Sequence, residues 1–242
     1  MVGLQFCNYE GDKISKSKNW GVFCESIPKA GLDPDIWRYY LIGIIPETRD
    51  TEFKWDDFKS KVNNELVANL GNFIHRTTTF AWNNFGGEVA VDGVAGEEQE
   101  LVDRVARLGE ESLALLGEVR FREAMTKLLA MADLGNEYFQ GKQPWKLVKT
   151  EKEECGRVIH ACLTACEYIA IVLQPFLPGS SARILDLLGA RDRGASRLGE
   201  HRSLMKLSRK PEVPFKKLED EQLEAAKKLV TKSRPVKDYF KG

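Results

Sequence analysis

Histidine is scarce in this chain of 242 residues: His75, His160 and His201 stand too far apart in sequence to suggest a shared metal ion. Cys-x-x-Cys pairs are missing altogether, which excludes a zinc knuckle or a dithiol redox motif. Of the five cysteines (Cys7, Cys24, Cys155, Cys162 and Cys166), the last three share a helical face with Ile159, Ile169 and Leu173. That is the setting of buried free thiols, and a reducing cytoplasm is expected. Net charge is also missing, with 36 basic residues against 36 acidic ones. A global positive field is therefore excluded as a means of holding nucleic acid, although a local patch is not. No uninterrupted apolar run reaches the ~18 residues of a membrane span, and no signal-peptide pattern opens the chain, so no membrane partner is expected. There is no internal repeat, no nucleophile–base constellation and no pair of carboxylates with an evident catalytic role.

What is present is a chain that is 43% hydrophobic and 30% charged, enough for one large domain or two small ones. Residues 1–60 read as a small mixed α/β unit. A short apolar strand is expected at Val2–Phe6, a break at Pro28 and Gly31, and a helix capped by Asp33 with Pro34 at its first position. From Trp55 the pattern turns helical. Phe58, Val62, Leu66, Asn69 or Leu70, Phe73 and Thr77 mark the buried stripe of a long helix that ends at Gly86-Gly87. A Gly-rich, acidic surface loop follows over Glu88–Glu98. Further helices are expected over Gln99–Leu116, Glu118–Phe139, Glu151–Leu173, and from Ser180 or Ser181 to Leu188. Residues 61–195 thus predict an α-helical bundle, and the fold class is mainly α. Residues 196–242 form a basic extension with one helix at Glu219–Val230 that packs on the bundle. Its cations Arg197, Arg202, Lys206, Arg209, Lys210, Lys216 and Lys217 form either a solvated tail or a phosphate-facing strip.

Lys13-Ile14-Ser15-Lys16-Ser17 is a basic, hydroxyl-rich loop flanked by turn-forming residues. Ammonium groups and hydroxyls on a mobile loop suit a phosphate chain whose charge shifts during reaction; an exposed basic turn would read the same way. Asn72 and Arg76 lie four residues apart, on one helix face. An amide and a guanidinium placed so can meet a base edge and a phosphate, or simply face solvent. Trp145 follows Pro144 at a polar break between helices, among Lys142, Lys146 and Lys149. An indole on such a rim can stack on an unpaired base or serve as a packing lid. Trp55 and Trp82 lie on helix faces and read as packing residues, and His160 as a packing or surface residue. The acidic run Glu97, Glu98 and Glu100 would repel an RNA chain that faced it.

The string Lys13–Ser17 resembles the KMSKS signature of class I aminoacyl-tRNA synthetases, with Ile14 in place of methionine. Asn8–Asp12, Leu32–Leu41, Asp50–Phe58, Asn63–Arg76 and Gln143–Leu147 are each similar to segments of methionyl-tRNA synthetases, in the same order up to about residue 190. No His-x-Gly-His string is present, so the resemblance covers only the C-terminal portion of that family and implies a missing N-terminal catalytic domain. Several expectations follow from the resemblance. Lys16 meets the ATP phosphates in the transition state of methionine adenylation, with Lys13, Ser15 and Ser17 shaping the loop. Asn72, Arg76 and Trp145 read the CAU anticodon of tRNA(Met). ATP and magnesium belong to the complete enzyme, and neither is expected to bind tightly to this chain, which alone should be inactive. Two rivals stand beside that reading: a fragment of a related class I synthetase, and a non-catalytic tRNA-binding or assembly module of the same descent.

Overall fold

In the computed structural model, which describes residues 3–231, Glu10 and Gly11 both take positive φ, 46° and 86°. Two such residues between paired strands make the tight hairpin turn whose twist matches its strands, and glycine at the second position relieves the steric cost. The hairpin joins β1 (Cys7–Tyr9) to β2 (Asp12–Lys13) in the register Asn8↔Lys13 and Tyr9↔Asp12. β3 (Thr51–Phe53) adds to the other edge of β1 in parallel, giving the order β2-β1-β3. The strand therefore lies later than the expected Val2–Phe6, of which Val2 is outside the described residues. Pairing with Thr51–Phe53 and burial of Tyr9 select its position, whereas Phe6 is left 73% exposed.

α1 (Pro34–Gly43) begins as its sequence demands, with the Asp33 carboxylate accepting from the Asp35 amide at 3.0 Å and Pro34 in the first turn. Its buried Trp37 and Tyr40 join an aromatic core centred on Phe53. The Phe53 ring lies 5.1–6.3 Å from those of Tyr9, Trp37, Tyr40, Trp55 and Phe58. Such stacked, tilted and edge-on contacts add to area burial. The Trp55 indole N–H donates to the Tyr9 hydroxyl at 2.8 Å, so its polar edge is satisfied inside the core.

The chain divides into two compact units, one running up to Asn64 and resuming at Lys217, the other Glu65–Lys216. The extension expected to start at 196 as a single piece is thus shared between them. Its last described helix, α9 (Asp220–Thr231), packs against α2 (Trp55–Lys61) and the 3-10 turn Cys24–Ala30 within the first unit. Asn63 secures this return: its amide donates to the Leu218 carbonyl at 2.9 Å and its oxygen accepts from the Leu218 amide at 2.8 Å. The basic end of the chain lies outside the described residues.

The long helix expected from Trp55 is helical but not uniform. A π-helix occupies Val62–Gly71 between α2 and α3 (Asn72–Phe85), and the boundary between the units falls within it. Val62, Leu66 and Leu70 are fully buried at steps of four. Such a stripe drifts around a 3.6-residue helix, and a wider turn offsets the drift. In the second unit, α4 (Gly96–Gly117), α5 (Phe121–Lys142), α6 (Pro144–Thr150) and α8 (Pro178–Leu187) join α3 around α7 (Lys152–Leu173). The expected loop at Glu88–Glu98 instead opens with β4 (Glu88–Ala90), which pairs antiparallel with β5 (Leu204–Lys206). By length and composition α7 would pass for a membrane span, but 94% of that stretch is buried within the fold, so it is a core helix. Cys155, Cys162 and Cys166 are buried free thiols on it, and burial pushes Cys155 up to about 11.

Two contacts hold this unit. α3 and α5 approach so closely at Gly135 that a Cβ there would lie 2.3 Å from the Phe73 ring. On α7, the buried Glu167 carboxylate meets Arg193 at 2.6 Å and Arg202 at 3.2 Å. Arg193 also donates to the carbonyls of Arg197 and Glu200, and Arg202 to those of Leu188 and Gly189. The segment after α8 is thereby strapped to the central helix. Gly135→Ala should lower stability by about 1–3 kcal/mol through overpacking, read as a fall in Tm. Glu167→Ala leaves two guanidiniums without their shared partner and should cost about 3 kcal/mol, read by urea unfolding.

Candidate functional site

Residues singled out by sequence fall in both units. In the first, Ser15 and Trp20 form an isolated antiparallel bridge, with N–H···O bonds of 2.8 and 2.9 Å in the two directions. Lys16–Asn19 is therefore the tip of a tight loop, closed by the Asn19 amide donating to the Lys16 carbonyl at 3.1 Å. Trp20 fixes the base of that loop to the hairpin, because its indole N–H donates to the Tyr9 carbonyl at 3.0 Å and its ring meets Tyr9 edge-on at 5.2 Å. The hydroxyls of Ser15 and Ser17 lie 3.2 Å apart, and Ser15 Oγ also accepts from the Lys18 amide at 3.3 Å. These hydroxyls shape the turn. Lys13, Lys16 and Lys18 are exposed, and among the described residues none forms an ion pair. The loop thus presents three cations from a braced base.

In the second unit, the end of the π-helix and α3 together run beside α5 in the same direction, since successive cross-helix partners keep one offset, 64 residues. The Asn69 amide donates to Asp133 at 2.7 Å, Asn72 to Asn136 at 3.4 Å, and Arg76 to Gln140 at 3.2 Å. Asn136 in turn donates to the Asn69 side-chain oxygen at 3.0 Å and to its carbonyl at 3.2 Å. At the far end of this ladder the Arg76 guanidinium lies over the Phe139 ring, 4.0 Å from its centroid. Partial burial lowers the Arg76 pKa from its ordinary value, yet an arginine so placed stays cationic at neutral pH. Gln143, in the left-handed conformation, ends α5, and Pro144 starts α6 at once. That corner brings Trp145, 37% exposed, to 6.3 Å from Phe139, ring to ring. Phe139 is buried and contacts both the guanidinium and the indole.

The surface therefore carries a polar ladder, a cation and an aromatic plate in sequence, the combination that can meet base edges, a phosphate and an unstacked base. Asn72 and Arg76 share one face, as their spacing requires, and Trp145 joins Arg76 through Phe139. Sequence reasoning missed Phe139, Asp133, Asn136 and Gln140, and treated Asn69 only as a stripe position. A signal was available, because Asn69, Asn72 and Arg76 repeat the spacing of Asp133, Asn136 and Gln140. Polar residues at matched spacing on two helices announce a ladder only once the helices are known to be neighbours.

The acidic run is engaged within the unit. Glu97 pairs with Lys142 at 2.6 Å, Glu98 accepts from the Tyr138 hydroxyl at 2.9 Å, and Glu100 faces Arg104 at 3.8 Å. Much of the expected basic strip is likewise committed to this chain's own carboxylates. Arg197 pairs with Glu200, Arg202 with Glu167, Lys206 with Glu88 and Arg209 with Asp186. Arg202 braces the strap, while Arg197, Lys206 and Arg209 form exposed surface pairs.

Comparison with known proteins places these features in context. Residues 1–78 match the family described as tRNA synthetases class I (M), and residues 89–234 match the anticodon binding domain of methionyl tRNA ligase. The methionine–tRNA ligase of Methanopyrus kandleri is 38% identical over 95% of this chain, which covers 34% of that protein. The methionine–tRNA ligase of Archaeoglobus fulgidus is 39% identical over 96% of the chain, which covers 35% of it. A solved structure of Mycobacterium tuberculosis methionyl-tRNA synthetase in complex with methionyl-adenylate superposes with a TM-score of 0.76 at 27% identity. The match takes in 87% of this chain and 42% of that one. The chain thus spans about a third of the length of the curated relatives it matches.

Proposed function

The chain belongs to the methionyl-tRNA ligase family, and from that premise we propose that it is the tRNA-recognition portion of a methionine–tRNA ligase. Its α3–α5–α6 surface reads the CAU anticodon of tRNA(Met). The observation that carries this reading is the contiguity of Arg76, Phe139 and Trp145, a cation and an exposed indole that both contact one buried ring. Trp145 offers the face on which an unstacked anticodon base rests. Arg76 supplies a fixed positive charge for a phosphate or a base edge, and Asn72 hydrogen-bonds a base edge from the same helix face. Cytosine, adenine and uracil differ at those edges in their amino and keto groups, which an amide held in place distinguishes.

The Lys13–Ser17 loop contributes to the other half of the reaction. In the complete enzyme the methionine carboxylate attacks the α-phosphorus of ATP and pyrophosphate leaves, so negative charge builds on the departing phosphates. Lys16, at the exposed tip, offers its ammonium to that charge, and Lys13 adds a second from β2. Ammonium groups carry no lone pair for a metal, so magnesium would be held by phosphate oxygens and not by these lysines. The braced base keeps the two cations near one place while the tip closes, and stabilisation realised only in the transition state raises turnover.

The test is the affinity of this chain for tRNA(Met) against the same tRNA with its CAU anticodon changed, at one stated salt concentration. A marked loss on changing the anticodon supports the reading, and equal affinity removes it. Trp145→Ala should weaken cognate binding by about 1–3 kcal/mol with the fold intact. Arg76→Ala should also weaken it and reduce the salt slope by about one. Unchanged affinity in both variants would sink the site assignment. Lys16→Ala should leave tRNA binding alone and slow ATP–pyrophosphate exchange by the full-length enzyme about a hundredfold. Normal exchange would refute the role given to Lys16.

A further inference from the structure

An amide side chain has a donor end and an acceptor end, and which end faces out is set by its neighbours. Along the α3–α5 ladder the neighbours leave no choice. The Asp133 carboxylate accepts and does not donate, so Asn69 turns its NH2 toward Asp133, 2.7 Å away, and its oxygen toward Asn136. Asn136 then turns its NH2 toward two acceptors, the Asn69 side-chain oxygen at 3.0 Å and the Asn69 carbonyl at 3.2 Å. That fixes the Asn136 oxygen toward Asn72, whose NH2 donates to it at 3.4 Å. Asn72 is exposed, and because one N–H of its amide is engaged by Asn136, its orientation is set and Oδ1 is the acceptor it offers to a ligand.

We propose that Asn136, polarised by Asp133 through Asn69, is a positioning residue that holds Asn72 with its carbonyl oxygen outward. The site then accepts a hydrogen bond from the exocyclic amino group of a base and disfavours a keto oxygen in its place. The proposal rests on the anticodon reading above and makes it specific, since cytosine and adenine carry that amino group and uracil does not. Asn136 touches no base. It acts by making one of the two orientations of Asn72 far more populated than the other, because the flipped amide would set two acceptors against each other.

The experiment uses the whole chain and short anticodon stem-loop RNAs. One carries CAU, one has uracil for the cytosine, and one has inosine for the adenine. Asn72→Ala identifies which of the two amino bases Asn72 reads. Asn136→Ala frees the Asn72 amide to flip, and the preference for amino over keto at that base should fall about fivefold. Asn136→Asp keeps an acceptor toward Asn72. It loses the donor toward the two Asn69 oxygens, so it should lower Tm and weaken binding of every RNA, yet retain more of the preference than Asn136→Ala. Asn136 is half-buried at the surface, and thermal melting of each variant checks that the fold is kept. A preference unaltered in Asn136→Ala, or lost equally in Asn136→Asp, overturns the relay while leaving anticodon recognition standing. A parent chain with no preference for CAU over either altered loop overturns the anticodon reading and the relay with it.

Discussion

Phe73 lies against a residue with no side chain, and much of the second unit follows from that. Gly135 lets α5 approach α3 closely enough for the Phe73 ring to occupy the space a Cβ would need. At that separation short amides can bridge the two helices. Asn69, Asn72 and Arg76 therefore reach Asp133, Asn136 and Gln140 directly. A larger residue at 135 would push the helices apart, and side chains as short as asparagine would lose their partners. The same closeness puts Phe139 beneath Arg76. The contact is apolar and buried, yet what it controls is polar and exposed.

The first unit solves a related problem with aromatic rings. Its sheet has only three short strands, too few to be stable alone, and the rings around Phe53 supply the apolar burial that the strands do not. Trp20 extends that cluster to the surface through Tyr9 and so fixes the foot of the lysine loop. Both candidate sites share one principle of construction. The half-buried Arg76 and the exposed Trp145 both contact the buried Phe139 ring, and the exposed lysine loop is tied at its foot to the buried Tyr9.

Periodic and local features were legible in the sequence, and long-range ones were not. The Asp33–Pro34 start of α1, the extent of α7 and the helix near residue 220 could be read because capping chemistry and the 3.6-residue period are local. The shared face of Asn72 and Arg76 could be read for the same reason. The pairing of Glu88–Ala90 with Leu204–Lys206 could not, since three-residue strands carry almost no signal and the partner lies far along the chain. The basic segment read as a solvated tail or a phosphate-facing strip, and its pairing was hidden because the carboxylates Glu88, Glu167 and Asp186 belong to other elements. Phe139 looked like any core residue. Only adjacency to both Arg76 and Trp145 gives it a place in the site.

The hydrogen bonds between Asn63 and Leu218 join points on either side of the whole helical unit in sequence. The first unit is therefore discontinuous: the turn Cys24–Ala30 and α2 are made before the helical unit, but α9, which packs on both, comes only after Glu65–Lys216 has been made. During vectorial synthesis the helical unit can close on its own residues first. The unit bearing the lysine loop must wait for α9 before the turn Cys24–Ala30 and α2 gain their last partner. A stall or cleavage before residue 217 would release a finished bundle attached to an unfinished partner, so the order of folding here is written into the connectivity.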